Sequence, residues 1–483
     1  MRHILLIFLL VLSSITSVSL ASAQKETATI EAFTESFSQQ NGFFTFYHDA
    51  ANGKYYLQVP RSGKQFIFQT SLPWGLGSND IGLDRGQLGE TRLSSFHIEG
   101  DKALLMQHNT YYRAQTENAA ERQSVNEAFA DSVLYGFNIV ASDESHVLID
   151  YTPYLFTDVH GVSQRLAATE QGQYNVDAQR SVIYPERSKG FPKNTELEAK
   201  VTFVGEGQGR WVRETAANAD ALTLHLHHSF IQLPDAGYLP REFHTNSGFW
   251  SHSFKDYAAP LGESMTVQYI PRHRLQKQDP IASESEARQP ITYYLDPGAP
   301  EPVRSALLEG AKWWQEGFEA IGYDNAFQVK MLPADADPMD VRYNVIQWVH
   351  RATRGWSYGS SVIDPRTGEI IKGHVTLGSL RVRQDMKIAS ALLAPFVEDK
   401  QALKEAVKEM ALARIRQLSA HEIGHTLGIA HNFAASTADR ASVMDYPHPL
   451  VNLTTEGTLT LADAYDVGLG VWDKQVIAYG YSD

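Results

Sequence analysis

The sequence predicts an α+β protein in two main parts: a β-rich N-terminal region, then a unit of mixed strands and helices that includes one long helix. Three observations support this reading. Residues 30–275 alternate short apolar runs with turns, the signature of half-buried strands. A polar, proline-containing stretch at residues 272–289 then breaks the pattern. Beyond it, strand-like and helix-like segments intermingle, and residues 396–423 run without glycine or proline. A chain of 483 residues is too long for one ordinary core. The expected division is residues 1–23 as an export signal, 24–285 as the β-rich region and 286–483 as the second unit.

Within the first region, strands are expected at residues 43–47, 55–59, 66–68, 103–107, 146–151 and 222–226, with one helix over 117–133. The glycine-rich stretch 75–80 fits neither a phosphate loop nor a dinucleotide fingerprint and reads as a turn. In the second unit, residues 291–295, 327–332, 344–349 and 369–377 read as strands. Residues 302–321 read as an amphipathic helix with Pro302 in its first turn. Along 396–423, Leu403, Val407, Met410, Ile415 and Leu418 mark one helical face.

Composition narrows the function. Hydrophobic residues at 43% and charged residues at 20% describe an ordinary globular chain, and a net charge of -14 argues against a nucleic-acid partner. Arg2 and His3 precede the apolar run 4–12, and Ala21-Ser22-Ala23 follows, which predicts export with cleavage before Gln24. That run is too short to span a bilayer, so no stable membrane insertion is expected and the destination is periplasmic or extracellular. The chain has no cysteine, which excludes disulfides, thiol catalysis and thiolate-held metal. Any zinc must be held by histidine and carboxylate.

The long helix carries such a set. His421 and His425 stand four apart, on one helical face, and Glu422 lies beside the first of them. Gly428 suits the point where the chain must leave the helix, and the turn brings His431 round as a third nitrogen ligand. Three protein ligands plus a water is the arrangement of a catalytic rather than a structural zinc. A paired set at His225 and His227 could also share a strand face, but the sequence shows no carboxylate or third ligand near it, so a structural role is expected there.

The run from His421 to His431, followed by Ser442-Val443-Met444-Asp445-Tyr446, resembles the signature of the metzincin zinc peptidases. The resemblance implies a metzincin-like catalytic domain, a twisted mixed sheet with an active-site helix and a methionine turn, with zinc on His421, His425 and His431, and Glu422 as general base. Met444 would pack beneath the ligands, and Tyr446 would reach the metal or the oxyanion. Asn432, after the third histidine, matches none of the best-known subfamilies. Residues 302–321, with Trp313 and Trp314, resemble the first helix of a matrixin-like domain. Residues 368–378 resemble its substrate-pairing edge strand, and 472–480 its closing helix. Residues 77–87 and 343–385 are similar to an uncharacterised group of bacterial zinc-dependent metalloproteases, whose members usually run on past this unit. A short member or part of a longer chain is therefore expected.

The implied activity is a secreted zinc-dependent endopeptidase acting on proteins or peptides. Two other readings stay open: a secreted binding or adhesion protein with a vestigial zinc domain, and a zinc hydrolase of non-peptide substrates. Lacking cysteine, the chain cannot restrain itself with a thiolate on the zinc. The β-rich region is expected either to cover the cleft or to serve as a permanent accessory domain.

Overall fold

The computed structural model describes residues 28–353 and 355–482. The expected export signal lies outside these residues. A twelve-stranded antiparallel sheet dominates the N-terminal region. It includes Phe46–Asp49, Lys54–Pro60, Phe66–Trp74, Lys102–Gln107, His146–Asp150 and Ala221–Gln232, so the alternating runs do form strands. The sheet buries an aromatic core around Phe66, Phe96, Phe137, Phe203 and Phe230. The expected helix is present but shorter, Ala119–Ala128, capped by Asn118.

One expectation is corrected here. The strand Asn194–Gly205 places two carboxylates against His225 and His227. His225 Nδ1 lies 2.5 Å from Glu198 Oε1, and His227 Nδ1 lies 2.9 Å from Glu198 Oε2. His227 Nε2 bonds Glu196 as well. Burial opposes protonation of His227, but the bonds to Glu196 and Glu198 outweigh it and carry the ring up to about 9. The structural reading stands, because His225 Nδ1 and both nitrogens of His227 are taken up by these carboxylates.

The second unit is built on a six-stranded sheet. Its strands are β1 (Arg272–His273), β2 (Ile291–Leu295), β3 (Phe327–Met331), β4 (Asn344–Val349), β5 (Tyr358–Ile363) and β6 (Glu369–Gly378). The order is β1-β6-β4-β2-β3, all parallel, and β5 pairs antiparallel with β6 on the side away from β4. Residues 368–378 are therefore not the edge. Strand β6 is paired on both sides and largely buried, and β5 forms the edge beside the long helix. Strand β5 reads Tyr-Gly-Ser-Ser-Val-Ile, too poor in apolar residues to show a strand pattern.

Five helices matter for the site: α1 (Val303–Lys312), α2 (Trp314–Glu319), α3 (Leu380–Leu393), α4 (Lys400–Thr426) and α5 (Val471–Tyr481). The helix expected over 302–321 is broken at Trp313, whose N–H turns to Gly310 O at 3.2 Å, one residue short of the α-helical partner. Helix α4 starts at Asp399, whose carboxylate accepts from the N–H groups of Gln401 and Ala402. Close contact joins α1 to α4: a Cβ on Gly310 would fall 1.9 Å from Arg416 O. Trp314 Nε1 donates to Ala420 O at 2.7 Å.

The core around α4 reaches upstream of residue 286. Phe249, Ile270 and Leu275 belong to the same buried cluster as Ile415, Ile423, Met444 and Tyr481. No helix among the described residues is long and apolar enough to cross a membrane.

Candidate metal centre

Helix α4 brings His421 and His425 to one face, as their spacing requires. The helix ends at Thr426, and Gly428 then adopts φ +96° with its missing Cβ only 1.9 Å from Pro271 O. No other residue fits that turn without moving the backbone. The reversed chain carries His431 back, and the three rings offer nitrogen atoms that all lie within 4.8 Å of one another.

The outer nitrogens are fixed by carbonyls. His421 Nδ1 donates to Val443 O at 2.8 Å and His425 Nδ1 to Ile429 O at 2.8 Å. A carbonyl only accepts, so these neutral rings keep their hydrogen on Nδ1 and present a lone pair at Nε2. His425 Nε2 stands 3.1 Å from His431 Nε2. Two nitrogens on a tetrahedral zinc with bonds of about 2.0–2.1 Å would be roughly 3.3 Å apart, so the donor set fits that ion. Burial holds His425 down at about 4 and pushes His421 and His431 down as well, which keeps all three rings neutral near pH 7.

Glu422 is buried beside the cluster, and its Oε2 has no hydrogen-bond partner. Burial drives its carboxyl up to about 8, against the pull of Arg414 and the Gly359 backbone amide, and a dication on the three histidines would favour the ionised carboxylate that can accept a proton. Strand β5 passes close to α4 at this point: a Cβ on Gly359 would lie 2.3 Å from Glu422 O and 2.9 Å from His425 Cβ.

Met444 is fully buried beneath the ligands. A Cβ on Gly424, between His421 and His425, would meet Met444 Sδ at 2.3 Å. Tyr446 stands over the other side, its ring 4.6 Å from that of His431 and 5.2 Å from that of His421, and it is exposed. His421, Glu422, His425, His431, Met444 and Tyr446, all singled out in the sequence, are thus brought together.

Two supporting residues were not anticipated. Gln417 Nε2 donates to Val443 O at 2.8 Å, the same carbonyl that holds His421. Asp473, fully buried on α5, accepts from Ser442 Oγ at 2.6 Å, Val443 N at 2.9 Å and Gly470 N at 2.8 Å. Ser442 Oγ in turn accepts from Met444 N at 2.9 Å, so Asp473 fixes the methionine turn. In sequence Asp473 looks only like an acidic residue in a first helical turn. Asp473→Ala strands buried donors and is expected to cost roughly 2–4 kcal/mol in urea unfolding, with weakened zinc affinity. A loss too small to resolve would mean that the turn holds its shape without Asp473.

Comparison with known families agrees with this geometry. Residues 404–483 match a family model described as Met-zincin, and the three-histidine cluster fits a metzincin. Residues 86–278 match a domain of unknown function, DUF5117. No curated protein and no solved structure matches the chain.

Proposed function

We propose that the chain is an exported, zinc-dependent endopeptidase that hydrolyses internal peptide bonds, with Glu422 as general base. The observation that carries this reading is the cluster of three histidine nitrogens beside a buried carboxylate oxygen that has no partner. His421, His425 and His431 would hold a zinc ion, which would supply Lewis-acid chemistry toward water and the substrate carbonyl. Glu422 Oε2 takes the proton of the attacking water, and the same carboxyl returns it to the leaving amine. The carbonyls of Val443 and Ile429 hold two ligand rings in the tautomer that binds metal. Tyr446 donates its O–H to the carbonyl oxygen as that atom gains charge. The edge strand β5 holds an extended peptide through main-chain hydrogen bonds, which favours cleavage within a chain over removal of its ends. Export rests on the charged, apolar and small-residue pattern of the first 23 residues.

A peptide blocked at both termini tests the endopeptidase reading. Internal cleavage, seen by mass spectrometry of the products, is expected. Cleavage confined to unblocked peptides, one terminal residue at a time, would contradict it. Tyr446→Phe is expected to lower kcat about 10-fold with KM nearly unchanged, because its hydrogen bond forms as charge develops. An unchanged kcat would leave Tyr446 as a wall of the cleft.

A further inference from the structure

The β-rich region sends one short segment to the metal centre. Gly248 O accepts from Ala430 N at 2.8 Å, and Trp250 N donates to Gly428 O at 2.9 Å. These bonds flank an antiparallel bridge between Phe249 and Ile429, on the stretch that links the second histidine to the third. Phe249 turns into the core, where its ring would lie 2.2 Å from a Cβ on Gly480 of α5. Arg241 anchors the approach by donating to Tyr479 O and Ser482 O, and Tyr479 OH donates to Glu242 O at 2.8 Å. The segment is thus fixed along its length.

Trp250 is the residue this anchoring delivers. Its ring centroid is 6.0 Å from His425 and 6.3 Å from His431, yet 48% of the residue stays exposed. Phe433 stacks on His431 at 4.9 Å with 56% exposed, and its ring is 5.2 Å from Tyr446. Single exposed apolar side chains are ordinary, but several aromatic rings gathered around one set of metal-binding histidines are apolar surface that a ligand would cover.

We propose that Trp250, supplied by the β-rich region, and Phe433 form an apolar subsite beside the metal centre that selects peptides with a large hydrophobic or aromatic side chain. The β-rich region then serves as part of the substrate-binding cleft. This rests on the peptidase reading above for the site it borders.

The test uses full-length, zinc-loaded protein carrying Glu422→Gln, titrated by calorimetry with a blocked hexapeptide having Leu-Phe at its centre. The same peptide with Asp-Ser or Lys-Ser at the centre serves as comparison. Adding Trp250→Ala is expected to raise Kd for the Leu-Phe peptide roughly 10-fold and to leave the weak binding of the other two unchanged. Trp250→Phe should restore most of the affinity. Trp250→Gln, which keeps bulk but not apolarity, should behave like alanine and serves if the alanine variant unfolds. An unaltered Kd in both the alanine and glutamine variants would overturn the proposal, and so would a Trp250-dependent preference for the lysine peptide. Peptide binding that depends on Trp250, in a wild-type chain that cleaves nothing, would defeat the peptidase reading and leave this subsite standing. Normal cleavage with Kd indifferent to Trp250 would do the reverse.

Discussion

Replacing Glu422 by alanine is expected to leave the fold and the zinc content intact while lowering kcat by about 10²–10⁴-fold. The carboxylate is buried, but its Oε2 bonds nothing in the protein, so its removal breaks no hydrogen bond at that atom. The three histidines are oriented by Val443 and Ile429 together with the turn at Gly428, none of which depends on Glu422. The chemistry does depend on it, since the cluster itself holds three histidines and no carboxylate among the described residues, and Glu422 stands beside it. Metal analysis, circular dichroism and peptide turnover on one preparation separate these effects. Near-normal turnover would mean that another group takes the proton, and loss of zinc would mean that Glu422 organises the ligands.

A chain beginning at Gln289 is expected to fail to fold, or to give an inactive, aggregating product. Such a cut removes β1, which pairs with β6 through Arg272 and His273. It also removes Phe249, Ile270 and Leu275 from the core that supports α4. Pro271, whose carbonyl shapes the turn at Gly428, goes with them. His273 is lost as well; its N–H donates to Tyr481 OH at 3.1 Å, and that hydroxyl donates to Leu427 O at 2.9 Å beside the ligands. Deleting buried side chains of this size costs about 2–5 kcal/mol each, more in sum than a domain of this size holds in reserve. Comparison of residues 24–483 with residues 289–483 by circular dichroism and turnover checks this. A folded short form with much higher activity would instead identify the β-rich region as an inhibitory prodomain.

The part of the site legible in the sequence is the part encoded locally. His421 and His425 share a helical face because they are four apart, and Gly428 marks the turn because its backbone lies at positive φ. What the sequence does not reveal depends on register and distance. Glu196 and Glu198 meet His225 and His227 only through the pairing of two long strands. Asp473 reaches Ser442 and Val443 only once α5 has closed over the methionine turn. Strand β5 carries too few apolar residues to announce itself, and its place is set by packing against α4 at Gly359. Trp250 lies far from the histidines in sequence, and nothing around it suggests a site until Phe249 and Ile429 pair.

The most direct test of the account is metal analysis coupled to turnover in the purified full-length protein. One zinc per chain is expected, with peptide cleavage abolished by a chelator and restored by added zinc. The variant with alanine at 421, 425 and 431 is expected to bind no zinc at this site and to cleave nothing. Cleavage that persists without metal, or stoichiometric zinc in the triple variant, would contradict it.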